Sequence, residues 1–448
     1  MDKRLFRFGF LAHDHDHAPS PDWSQPSVHW SVLEFEGLTV HLHPETESRI
    51  AADVLFIGDV HAIRGTVEQA AIDRNWDDLS GRFAAIWNDG ALRILHDAFG
   101  ARTIFWRRQG GAVASHSEIL ALAYGHIRCP DMREFVVLPE YKARNTKYLP
   151  GLRTIYSDVL ALPPNHHYNF STGNIRRFWP TVECQPSTFD QFVDEMKITV
   201  AALARSVPNP VIGITGGIDT RVLAVEYARS SVPFKAITWS EPWIKPNERP
   251  IIQRTIDILG LDHSYLAMTG SIESPTARLA GRNSGGFRGR SKLTDDMMTN
   301  LNEGTFIRGY GGEIIRGFYN LTSHNKLYSA TPSEMLKAYG SSMKPVEVGE
   351  RYMSIGLDAF SELCEMSDYS DLKGYGLSDV FYWEHRMGIW GAAMHNEMDA
   401  AVKSITGMNS RRLYEVGLGL PEDERLSKDL LHRLTARSIP AMAKVPYL

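Results

Sequence analysis

The 448-residue chain is 43% hydrophobic and carries 48 Lys and Arg against 53 Asp and Glu, a formal charge of -5. That length leaves room for two domains, each with its own core, and that charge argues against broad binding to nucleic acid or an anionic membrane. No apolar run approaches a membrane span, and the three cysteines (Cys129, Cys184, Cys364), odd in number and far apart, fit reduced thiols of a cytoplasmic protein better than a disulfide framework or a zinc site.

Met1-Asp2-Lys3-Arg4 leads into a short apolar strand expected at Phe6 to Leu11, not into a signal peptide. Ala12 to His17 alternates potential metal ligands. Ala18, Pro19, Ser20, Pro21 and Asp22 offer no scaffold to fix a coordination geometry, so this stretch reads as a solvated loop. Runs of strand character follow at Val28 to Leu33, Thr39 to Leu42, Val54 to Ile57, Arg82 to Trp87 and Leu92 to His96, with a helix near Thr66 to Arg74. Together they predict a mainly β domain.

Phe189 to Ser206 interleaves Phe189, Phe192, Val193, Met196 and Val200 with charge and predicts an amphipathic helix. Next comes the stretch around which the second half is organised. Val211, Ile212 and Ile214 form the apolar run of a buried parallel strand, and Gly216 and Gly217 permit a tight turn into a helix. Backbone amides there, with Thr215, Thr220 and the positive end of the helix dipole, would cradle a phosphate. A carboxylate in such a nest repels the anion unless a divalent cation lies between them, which makes Asp219 a magnesium ligand. A glycine turn used for steric reasons alone is the plainer reading. The loop has neither the Lys of a Walker motif nor a Gly-x-Gly-x-x-Gly fingerprint. Helix Arg221 to Ser230 and strand Phe234 to Trp239 then complete a right-handed βαβ unit. Asn247 to Ile258 continues as helix and Ser264 to Met268 as strand. Gly281 to Lys292, rich in Gly, Arg and Ser, reads as a mobile substrate loop or a plain surface loop. Ser333 to Gly340, Glu350 to Ser367 and Ser378 to Val402 have helical spacing, the last with an aromatic stripe expected in the core.

Read whole, Thr-Gly-Gly-Ile-Asp-Thr at 215 to 220 resembles the Ser-Gly-Gly-x-Asp-Ser pyrophosphate loop of the ATP pyrophosphatases. Gly81-Arg82-Phe83-Ala84 with Asp97-Ala98-Phe99-Gly100-Ala101-Arg102 resembles the motif closing the glutaminase domain of asparagine synthetases. Leu162-Pro163-Pro164-Asn165-His166 and Phe178-Trp179 resemble the linker that follows. Arg308-Gly309-Tyr310-Gly311-Gly312-Glu313 is similar to the second loop of asparagine and β-lactam synthetases. The resemblance covers nearly the whole chain in the family's order.

What the resemblance implies is an α/β protein with a degenerate N-terminal-nucleophile-type, mainly β (αββα) domain over residues 1–180. A parallel-sheet, adenine-nucleotide α-hydrolase-like synthetase domain with a helical C-terminal part follows over 181–448. It implies ATP and Mg2+ as cofactors, held by Thr215, Gly216, Gly217, Asp219, Thr220, Gly309 and Gly311, with Asp219 and Glu313 as metal ligands. Ile237, Thr238 and Trp239 fall near the adenine, with a core role for Ile237 as the alternative. Lys444, Glu313 and Tyr310 are the catalytic candidates, and an exposed tail lysine is the plainer reading of Lys444. Arg308 and Arg316 add positive charge, one of them expected to pair with an acid. The family's Glu in a Val-Glu-x-Arg segment has no match, with Glu397 or Asp399 as substitutes.

The glutaminase half departs from the family. Its nucleophile is a cysteine at the exposed terminus, and position 2 here is Asp. Ile57-Gly58-Asp59-Val60-His61 is read as the remnant of its Asn-Gly-Glu segment. A structural or docking domain is therefore expected, with an amine supplied from elsewhere. The expected partners are small-molecule or peptide carboxylates and amines, with a second copy or a biosynthetic partner protein also open; nucleic acid and membrane are not expected.

Overall fold

The computed structural model describes residues 3–21, 23, 29–240, 244–286, 291–301 and 303–446. Part of the Gly281 to Lys292 loop, residues 287–290, lies outside them. The chain is mixed α/β with several sheets, one of them parallel, and a helical C-terminal part.

Twelve strands of the first half are β1 (Phe10–Asp14), β2 (Ser31–Phe35), β3 (Leu38–Leu42), β4 (Ser48–Ala51), β5 (Val54–Ala62) and β6 (Leu79–Asn88), then β7 (Leu92–His96), β8 (Phe105–Arg107), β9 (Ala112–Ala114), β10 (Val159–Ala161), β11 (His166–Asn169) and β12 (Asn174–Arg177). They form two sheets, ordered β10-β8-β9-β1-β3-β2 and β12-β11-β7-β6-β5-β4. Phe10, Val40 and Leu42 of one sheet meet Leu55, Ile57 and Ile86 of the other in a shared core. On the outer face of the second sheet, Val67, Ala70 and Ala71 of helix Val67–Asp73 pack on Phe56 and Phe83. On the outer face of the first, Ile119 and Leu120 of helix Ser117–Tyr124 pack on Leu11 and Ala114. Alternation along the strands produces these four layers, because each sheet buries apolar side chains on both faces.

The first expected strand is shifted. Phe6 and Phe8 stand at φ of 55° and 60°, so Phe6 to Gly9 turns and β1 begins at Phe10. It then runs through His13 to Asp14, half of the stretch expected as loop, because Ala12 and His13 pair with Val40 and Thr39. Helix Val67–Asp73 matches its expectation to within a residue, and Thr66 Oγ1 caps it by accepting from Gln69 N.

The parallel sheet contains β13 (Pro210–Gly213), β14 (Lys235–Trp239), β15 (His263–Leu266), β16 (Thr305–Arg308) and β17 (Lys403–Thr406), ordered β15-β14-β13-β16-β17. Every neighbouring pair is parallel. Both faces are covered. Ile212, Ile214, Val222 and Leu223 lie in the main core, while Val211, Ile237 and Phe306 meet Met297 and Leu301 opposite. The strand order reverses between β13 and β16. In open sheets of this kind, ligands bind beyond the carboxyl ends of the strands at that reversal.

The helical reading of Ser378 to Val402 needs correction. Helix Leu377–Phe381 passes into a π-helical stretch, Tyr382–Gly391, and helix Ala392–Met398 stops before β17. Lys403–Thr406 was not read as a strand at all; Ser404 and Thr406 are polar yet fully buried, bonding His395 Nδ1 and Nε2 at 2.8 Å each. Among the described residues no helix is long and apolar enough to cross a membrane.

The two halves meet through buried polar contacts. Arg82 donates to both carboxylate oxygens of Asp399 at 2.6 and 2.7 Å and to Asn396 Oδ1 at 3.0 Å. Asn409 accepts from Phe99 N at 2.9 Å and donates to Asp97 Oδ1 at 2.7 Å and Gly81 O at 2.6 Å. Asp97 in turn accepts from Ala101 N and Arg102 N. Asp399 is thus committed to Arg82 and is no substitute for the missing glutamate. Asp59, in the Ile57 to His61 segment, pairs with Lys403 Nζ at 2.5 Å.

Candidate functional site

β13 ends at Gly213, and Ile214 to Gly217 turn into helix Ile218–Arg229, which begins three residues earlier than the sequence suggested. β16 ends at Arg308, and Gly309 to Gly311 lead into the short helix Gly312–Ile315. The two turns touch. A Cβ at Gly309 would lie 2.9 Å from Thr220 Cγ2 and 3.0 Å from Thr220 N, and one at Gly312 would overlap Asp219 Oδ1. Glycine is required at both places for this close approach, irrespective of backbone angle.

Within the first turn, Thr215 and Thr220 hydroxyls bond each other at 2.9 Å, and Gly217 N donates to Thr215 Oγ1 at 3.1 Å. Gly216 N points to Glu248 Oε2 at 3.4 Å. The outward amide already meets a carboxylate from across the crevice. Beneath the turn lies Arg221, 1% exposed. Its guanidinium donates to Gly216 O and Gly217 O at 3.4 Å each and to Pro446 O at 3.1 Å. By holding those carbonyls inward, Arg221 leaves the opposite face of the turn to the amides. Arginine four residues after Gly217 was the available signal, since that spacing folds it back beside the turn.

Asp219 pairs with Arg316 Nη2 at 2.8 Å. Glu313 stands close enough that the Asp219 charge adds to its burial and pushes its carboxyl up to about 7; burial is the larger cause. Burial likewise raises Asp219, with Arg316 opposing. Glu313 Oε2 is buried and makes no hydrogen bond. Of the two arginines singled out, Arg316 takes the acid. Arg308 lies instead over the Tyr310 ring at 4.3 Å and donates to Tyr310 Oη at 2.5 Å. Tyr310 stacks on Phe99 at 5.8 Å, so the first half contributes a wall beside the second turn.

The residues expected around adenine divide. Ile237 is fully buried in the apolar layer under the sheet. Thr238 Oγ1 donates to Ile214 O at 2.8 Å and tethers β14 to the first turn. Trp239 is half-buried, its Nε1 without a partner. Lys444 is exposed on the turn Pro440–Lys444, two residues from the carbonyl that Arg221 holds.

Asp219 and Glu313 fit a hard divalent cation in one respect: two carboxylates stand near enough for their charges to interact, and one oxygen of Glu313 lacks a partner. Magnesium is commonly held by one or two carboxylates with phosphates and water completing its shell. No set of three or more His, Cys, Asp or Glu converges among the described residues. A cleft of about 550 Å³ lined by Asn209, Lys235, Asp262 and Gly304 opens at the other end of the strands, away from both turns.

No protein-family profile matches the chain, and no curated protein matches it. Among solved structures it is similar to NMN synthetase from Francisella tularensis, at 13% identity and a TM-score of 0.23, over 44% of this chain and 94% of that one. A likeness so faint leaves the chemistry to be argued from the side chains.

Proposed function

We propose that the chain is an ATP-dependent ligase that adenylates a substrate carboxylate, releases pyrophosphate and AMP, and forms an amide. The observation carrying this reading is that both glycine turns stand at the strand reversal and touch, with Asp219 and Glu313 near enough for their charges to interact. The Gly216 and Gly217 amides and the Thr215 and Thr220 hydroxyls would bind the β and γ phosphates, displacing the Glu248 carboxylate. Arg221 would keep the turn in shape. Asp219 and Glu313 would hold magnesium, which when bound neutralises charge growing on the departing pyrophosphate. Glu313 must first lose its proton, which its position near neutrality allows. Gly309, Gly311 and Tyr310 would line the acyl side, and Trp239 and Thr238 the base. Lys444 would steady the oxyanion once the tail closes over the site.

The amine would come from free ammonia, a second substrate, a partner's product or the same molecule. The burial and structural commitment of the Gly81–Ala84 and Asp97–Arg102 segments support that view. Incubation with ATP, magnesium and pools of carboxylic acids, followed by pyrophosphate detection, tests the proposal against Asp219→Ala as control.

A second reading has its own observation. The Arg316 guanidinium already neutralises Asp219, as in a nucleotide-binding or docking protein that has lost its metal. Tight ATP binding that is indifferent to magnesium, without pyrophosphate release from any acid pool, would favour it.

A further inference from the structure

The alternating stretch Ala12 to His17, expected as a loop without a scaffold, has one in its first half. β1 carries His13, 5% exposed, on the outer face of the first sheet. Across the pair with β3, His13 lies opposite Thr39 and Leu11 opposite His41, so the two histidines are diagonal neighbours on that face. Their rings stack at 5.3 Å with 24° between the planes, and the two Nε2 atoms stand 3.2 Å apart. Two other histidines nearby are committed elsewhere. His17 Nδ1 meets Asp14 Oδ1 at 2.6 Å, and His43 donates from Nε2 to Lys3 O at 2.9 Å and accepts from Glu45 N on Nδ1 at 3.2 Å.

One contact places the proton on His13. Its Nδ1 lies 2.8 Å from Asp14 O, a carbonyl that can only accept, so Nδ1 donates and Nε2 of the neutral ring presents a lone pair to His41. Metal-binding imidazoles are oriented in this way, the second ring nitrogen donating to a carbonyl. His41 is half-buried; burial first, and then His13, push it down to about 4, so its ring is neutral at ordinary pH. With the His41 proton on Nδ1, two lone pairs meet across the gap, an arrangement that a cation between them relieves. Zinc–nitrogen bonds of about 2.0–2.1 Å convert the observed separation into an angle of about 100–106° at the metal, close to tetrahedral. A square-planar site, with a right angle between neighbours, would draw the nitrogens closer. Glu34 lies on the same face, opposite Thr39, whose hydroxyl donates to it at 2.9 Å, and its negative charge reaches His41.

We propose that His13 and His41 form a two-histidine site for a zinc ion, with water at the two remaining positions and Glu34 offsetting its charge from the same face. The ion would clip β1 to β3. The site is independent of whether the glycine turns use ATP.

Crystals of the untagged full chain soaked in zinc chloride, with data on either side of the zinc absorption edge, test it. An anomalous peak about 2.0–2.1 Å from both Nε2 atoms is expected. In solution, competition with a chromophoric chelator should show one zinc ion fewer per chain for His41→Gln than for wild type, and zinc should raise the melting temperature of wild type more than that of the variant. Should His41→Gln fail to fold, Glu34→Gln leaves both rings in place and is expected to weaken zinc binding several-fold. The absence of a peak at the pair, with the rings joined by a plain hydrogen bond, overturns the proposal. So does zinc found between Asp219 and Glu313 with none at the pair, or zinc binding identical in wild type and both variants.

Discussion

Two motif-bearing regions of the molecule have met opposite fates. In the first half, Arg82, Asp97 and Phe99 are buried and their polar atoms are spent on Asp399, Asn396, Asn409 and backbone. At the ends of β13 and β16, Gly217 is exposed, Thr215 is exposed and Glu313 keeps an oxygen without a partner. A motif can be consumed by packing, whereas free hydrogen-bonding capacity is what leaves a site able to bind. The first region braces the second: Asn409 ties Gly81 and Asp97 to the segment after β17, and Phe99 backs Tyr310.

The largest expected effect tests the brace. Arg82→Met leaves Asp399 charged and unpaired in the interior and is expected to cost about 3–5 kcal/mol, read by chemical denaturation. If the halves were independent, stability would barely change. Next, Asp219→Asn should lower pyrophosphate release by about 100-fold or more while leaving the denaturation midpoint near wild type. A large loss of stability instead would place Asp219 with the braces. Asn409→Leu removes three hydrogen bonds and is expected to cost about 2 kcal/mol.

The last prediction concerns pH. Glu313 is raised to about 7 from its ordinary 4.5, so between those values the folded state holds a proton that the unfolded state has lost. Stability in the absence of ligand should then fall as pH rises from 4.5 towards 7, by at most about 1.4 kcal/mol per pH unit. Melting curves of Glu313→Gln should be flatter across that window. Curves that run parallel to wild type would remove the carboxylate pair.

Much of the architecture was legible because its signals are local. The apolar run at Val211 to Ile214 and the runs of strand character at Arg82 to Trp87 and Leu92 to His96 each suffice to place an element. β17 was missed because Lys403-Ser404-Ile405-Thr406 offers two hydroxyls where a buried strand normally offers aliphatics, and the compensating partner, His395, is supplied by tertiary packing. The π-helical stretch was read as ordinary helix because spacing alone does not tell one winding from the other. Near the turns, Arg221 and Glu248 escaped notice for a related reason: their roles depend on carbonyls and amides, which leave no trace in residue type. The ion pair between Asp219 and Arg316 was foreseen only as one acid for one of two arginines; which arginine took it was settled by the short helix after Gly311.

The central claim is that a triphosphate is held between the two glycine turns. Crystals soaked with magnesium and a non-hydrolysable ATP analogue test it most directly. The account predicts density for the β and γ phosphates on the Gly216 and Gly217 amides, Glu248 turned away, and a cation between Asp219 and Glu313. A triphosphate bound elsewhere, with Glu248 and Arg316 still seated on the first turn, would contradict it.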